Sequence, residues 1–110
     1  MIIAFDIDGV FCWDKHEDWK KTKPRQEYID YINELYDAGH QIHILTARGV
    51  KRGVVDESLK GTKLQLDKWG LKYHKLESKP FFDLFVEDKA VNSIDTLKKI
   101  IDKYEAWAKR

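Results

Sequence analysis

Hydrophobic positions along the chain alternate between two periods. Ile2 to Phe5 is a continuous apolar run, the pattern of a parallel strand covered on both faces. The segment from Val10 to Lys23 is rich in charge and carries Trp13 and Trp19, and it reads as a long loop or a small hairpin. Pro24 suits the first turn of a helix in which Tyr28, Ile29, Ile32, Leu35 and Tyr36 recur at helical spacing, with Gly39 as the stop. "QIHILTA" predicts a second strand. A basic, glycine-punctuated loop then leads into a helix carrying Leu59, Leu64, Leu66 and Trp69, weakened by Gly61 and ended by Gly70. "KYHKL" predicts a short strand, "ESKPF" a turn and "DLFVED" a fourth strand ending in acids. From Ser93, the positions Ile94, Leu97, Ile100, Ile101, Tyr104 and Trp107 mark an amphipathic closing helix. Strand and helix alternate throughout, so the expected architecture is a Rossmann-like three-layer α/β/α sandwich around a mostly parallel sheet. Its crossovers should be right-handed.

The 110 residues fit one domain spanning 1–110, and 43% hydrophobic residues supply a core. The net charge of +1 argues against a generic nucleic-acid coat, although it leaves room for a local basic patch. The lone Cys12 cannot close an internal disulfide, which fits a reducing compartment. The N-terminal apolar run breaks at Asp6, too early for a signal peptide or a membrane span. These features together describe a soluble, cytoplasmic protein with no membrane association.

The chemistry gathers where the strands end. In open α/β sheets ligands bind beyond the carboxyl ends of the strands. Asp6 and Asp8 follow the first strand, Thr46 the second, and Glu87 and Asp88 the fourth, while Lys79 lies in the turn before the fourth. Residues i and i+2 of a strand face the same way, so Asp6 and Asp8 can reach one bound object. A buried carboxylate is costly unless paired, and a cation would offset the repulsion between two. Three acids from two strands make a hard-oxygen cage suited to Mg²⁺, with water and a phosphate filling the other positions. The Thr46 hydroxyl, the N–H groups behind it and the Lys79 ammonium can hold phosphate oxygens. A carboxylate nucleophile with a second carboxylate beside it is equipment for phosphoryl transfer through an acyl-phosphate. Each residue alone has a bland reading: D-x-D-G as a turn, Thr46 as a strand-end hydroxyl, Lys79 as a solvated lysine. Their shared position at strand ends, in one chain order, favours the site. Arg48, Lys51 and Arg52 divide evenly between a solvated loop and substrate contact. Trp13 and Trp19 are expected to pack the loop, and the four scattered histidines show no metal spacing.

"FDIDGV", "ILTAR", "SKP" and "LFVEDKAVN" resemble, in order, the four motifs of the haloacid dehalogenase-like superfamily of aspartyl-dependent phosphatases. The resemblance implies a Mg²⁺-dependent phosphomonoester hydrolase. Asp6 would be the nucleophile and a metal ligand, and Asp8 the acid and base that also lends its backbone carbonyl to the metal. Asp88 would complete the metal site. Gly9, Thr46, Ala47, Arg48 and Lys79 would bind the substrate, with Thr46 and Lys79 acting in catalysis. Glu87 and Asn92 would stand behind the metal. Two departures stand out: Val10 where many members have Thr, and Glu87 where Asp is commoner. Neither gap between motifs has room for a cap domain, so the chain looks like a capless member, a kind that takes bulky substrates or uses neighbouring subunits as a lid. The resemblance thus leaves room for a homo-oligomer without fixing the oligomeric state. A further similarity to small phosphatases of capsule and sugar-phosphate pathways leans toward a phosphorylated sugar as substrate. Three alternatives stay open: a polynucleotide end phosphatase, a receiver-like phospho-accepting domain without turnover, and a metal-binding interaction module.

Overall fold

A computed structural model describes residues 1–7, 9–12, 22–47, 57–80 and 83–109. Strand β1 (Ile2–Phe5), helix α1 (Gln26–Asp37), strand β2 (Gln41–Thr46), helix α2 (Glu57–Lys68), strand β3 (Lys75–Ser78) and helix α3 (Ile94–Ala108) follow one another in the chain. The three strands form one parallel sheet in the order β1-β2-β3. Phe5 pairs with Ile44, Ile44 with Leu76, and Thr46 with Ser78. The chain is thus a small α/β domain of Rossmann-like type.

Alternation along the strands divides the sheet into two faces. Ile42 and Ile44 are fully buried, and Ile3, Phe5 and Leu76 join them in one cluster. Tyr28, Ile29, Ile32 and Leu35 of α1, Leu66 of α2 and Ile101 of α3 belong to that core, together with Ile7, Phe11, Cys12 and Leu71. The rows carrying Ile2, Ala4, Gln41, Lys75 and Glu77 are exposed. Both faces of β1 were expected to be covered, but among the described residues only the Ile3–Phe5 face packs into the core, while Ile2 is 67% exposed and Ala4 is exposed.

Helix ends follow their sequence signals. Gly39 and Gly70 hold φ of 97° and 75°, left-handed values that stop α1 and α2 at little steric cost. Ser93 caps α3 by accepting a hydrogen bond from the Thr96 N–H. Pro24 stands outside α1, contrary to expectation: it forms an isolated bridge with Cys12, and Arg25 occupies the cap position without a side-chain cap bond. The third strand runs over Lys75–Ser78 rather than Lys72–Leu76, because Leu71 and Lys72 are held by the helices, the Leu71 N–H donating to the Leu66 carbonyl of α2. Asn33 accepts from the Lys72 N–H and donates to the Gly70 carbonyl, while the Lys72 ammonium sits 2.8 Å from Asp37.

The fourth predicted strand is absent from the sheet among the described residues. Residues 83–87 have no strand pairing, and Leu84, Phe85 and Val86 are 82%, 61% and 88% exposed. No helix among the described residues is long and apolar enough to cross a membrane.

Candidate functional site

The carboxyl ends of all three strands meet around one ion pair. Asp6 is the first residue after β1, and Lys79 the first after β3. The Lys79 ammonium donates to Asp6 Oδ2 at 2.6 Å, joining residues 73 apart in sequence. Asp6 Oδ1 accepts from the Ile7 N–H at 2.8 Å. Both side chains keep partial contact with solvent. Thr46, at the end of β2 between them, is fully buried, and its carbonyl accepts from the Lys79 N–H at 2.9 Å. That bond extends the β2–β3 ladder by one step, so the ladder itself carries Lys79 to the same end of the sheet as Asp6. Ala47 follows Thr46 and is exposed.

A tight turn fixes the chain behind Asp6. The Ile7 carbonyl accepts from Val10 N, Phe11 N and the Cys12 thiol, and Gly9 N–H reaches the Cys12 carbonyl. Gly9 holds a φ of 83°, a left-handed conformation that costs a residue with a Cβ about 1–2 kcal/mol. The Arg25 guanidinium donates to the Val10 carbonyl at 3.2 Å, and the Arg25 N–H donates to the Phe11 carbonyl at 2.8 Å. Arg25 therefore binds the turn to the start of α1. Sequence reasoning passed over Arg25; the available signal was an arginine where Ser, Thr, Asp or Asn usually caps a helix.

Glu87 and Asp88 are exposed, and Asn92 is exposed as well. The carboxyl of Glu87 is held below the usual carboxylate range, first by a hydrogen bond with the Asp88 side chain and then by the Lys89 N–H, 3.0 Å away. Among the described residues no three of His, Cys, Asp and Glu come together as a metal cage, so Asp6, Glu87 and Asp88 do not form one. Asp8, Arg48, Lys51, Arg52, Trp13 and Trp19 lie outside the described residues. The structure thus joins Asp6, Thr46 and Lys79.

No protein-family model matches the chain, and no curated protein does. A protein of Vibrio cholerae has the same fold. Its crystal structure, determined as a structural-genomics target, superposes with a TM-score of 0.77 at 22% sequence identity. The match covers 94% of this chain and 98% of that one. At that identity the likeness concerns architecture: one α/β domain of closely similar extent.

The chemistry open to the site follows from its donors. A half-buried carboxylate beside an ammonium, with a buried threonine at the neighbouring strand end, offers one nucleophilic oxygen and one fixed positive charge. Each Asp6 oxygen already accepts one hydrogen bond and keeps a further lone pair for a cation. Hard carboxylate oxygens suit Mg²⁺, so Asp6 has the donor type that could hold it.

Proposed function

We propose that the protein is a Mg²⁺-dependent phosphatase of the haloacid dehalogenase-like kind, acting in the cytoplasm on phosphomonoesters, most naturally a phosphorylated sugar. The Lys79–Asp6 contact of 2.6 Å at the meeting of three strand ends carries this reading. Lysine beside the nucleophile supplies fixed positive charge for the phosphoryl oxygens that arrive next to it.

In the proposed reaction an Asp6 oxygen forms a bond to phosphorus while the ester P–O bond breaks. The departing alkoxide takes a proton from Asp8. The Asp8 carboxylate then removes a proton from water, whose oxygen attacks phosphorus, and the P–O bond to Asp6 breaks to release inorganic phosphate. Thr46 and the Ala47 N–H grip the non-bridging oxygens, Gly9 gives the backbone room to approach, and Arg48 lies next along the chain for the substrate. Bound Mg²⁺ would neutralise charge on the phosphate; Asp6, Asp8 and Asp88 are the proposed ligands, with Glu87 and Asn92 supporting them.

The test is phosphate release from a panel of sugar phosphates, nucleotides and oligonucleotide ends, with Mg²⁺ and with chelator. Turnover of a small phosphorylated sugar that chelator abolishes is the expected result. Turnover on oligonucleotide ends alone, falling steeply with salt, would place the substrate among nucleic acids instead. A single phosphate per chain without turnover would mark a phospho-accepting domain, and no reaction at all would contradict the reading.

A further inference from the structure

Two features left over from the site are complementary. The outer edge of β1 ends the sheet among the described residues, a row of main-chain donors and acceptors flanked by Ile2, which is 67% exposed. The chain also presents Leu84, Phe85 and Val86 to solvent, a strand-forming triplet followed directly by Glu87 and Asp88. An open edge and an exposed apolar strand former are each hazards in a soluble protein, and each is what the other needs.

Chain length decides whether they can meet within one molecule. Lys79 is pinned to the Thr46 carbonyl, one step beyond the Thr46–Ser78 pair, and so stands two rows above Asp6 in the sheet register. Beside the outer edge of β1, a parallel strand that sets Asp88 level with Asp6 would place Leu84 about 20 Å lower than Lys79 and three strand spacings, about 14 Å, to the side. The straight line between those points is about 24 Å. Raising the strand by two rows shortens it to about 19 Å. Leu84 is five residues beyond Lys79, and five residues stretch to at most about 18 Å even before the chain bends around the sheet. The connection is too short for its own edge.

We propose that the edge is filled by a second copy of this chain: residues 84–86 of each protomer add as a fourth parallel strand to β1 of the other. The exchange is symmetric and closed, as a two-fold dimer requires, and a short connection under strain favours it. Its consequence, which rests on the function proposed above, is that Glu87 and Asp88 of one copy arrive beside Asp6 of the other. Each site is then completed across the interface.

The mass of the protein in solution is read by sedimentation over a range of concentrations, for the natural chain and for Val86→Lys. A dimer that Val86→Lys converts to monomer is expected. A natural chain that is monomeric throughout, or a dimer indifferent to Val86→Lys, would overturn the exchange. A second arm uses Asp6→Asn and Asp88→Asn chains carrying different tags, co-expressed and purified through both tags. In an exchanged dimer one site receives both substitutions and the other neither, so about half the natural activity is expected from two chains that are inactive alone. Recovery of an inactive mixed dimer alongside an active natural protein would overturn the shared site. A natural protein without phosphatase activity would count against the proposed function only, because the mass still decides the exchange.

Discussion

Asp6, Thr46 and Lys79 were each unremarkable in isolation, and position at the end of a strand is what distinguishes them. Their strands fix the rest. Because β2 and β3 pair through Thr46 and Ser78, the next residue, Lys79, has its N–H on the Thr46 carbonyl and its ammonium on Asp6. Lys79→Met keeps the stem and removes the charge. On the proposed mechanism it should lower kcat by about 10²–10³-fold, the scale seen when one preorganised electrostatic group is removed. Circular dichroism should stay unchanged, and wild-type kcat in this variant would detach Lys79 from the chemistry. The Thr62 hydroxyl on α2 offers a contrasting case: it is buried and has no hydrogen-bond partner among the described residues. Thr62→Val removes that group and keeps the shape, so it should raise stability by about 1 kcal/mol in a denaturant titration. A loss of stability would show that the hydroxyl is satisfied.

At the level of elements, the sequence spoke clearly where a pattern was long or a signal local. The helical spacing of Tyr28, Ile29, Ile32 and Leu35 places those four residues in the core, and Gly39, Gly70 and Ser93 end or begin helices where their conformational preferences require. Replacing Ser93 by Ala should cost about 1 kcal/mol, read as a lower midpoint of thermal unfolding, because the Thr96 N–H loses its acceptor. Three elements were less legible, each for a physical reason. Pro24 has the fixed φ of a helix start, yet its neighbour Cys12 draws it into a bridge. The β3 boundary moved because His74 is recruited at the foot of the ladder: its N–H donates to the Ile42 carbonyl and its Nδ1 accepts from the Ile42 N–H. Leu84 to Val86 has the composition of a strand, but composition carries no information about whether five residues of connection can reach the edge that strand would join.

For the molecule as a whole, the ends of three strands were readable as a meeting place, because a parallel sheet of alternating strands and helices brings its carboxyl ends to one side. The contribution of the fourth segment was not readable, since it depends on distance across the sheet. The same distinction separates the proposed function from its extension. Asp6 and Lys79 are joined within one chain, whereas the exchange proposed above would bring Asp88 from a second. If Asp6 is the nucleophile, it carries a phosphoryl group during turnover, and that bond is an acyl-phosphate labile to hydroxylamine. The most direct measurement is peptide mass spectrometry of protein quenched in acid during turnover of a phosphomonoester. One phosphoryl group on the peptide containing Asp6, lost on hydroxylamine treatment and absent from Asp6→Asn, is the predicted result. Phosphate release at the natural rate by Asp6→Asn would contradict it.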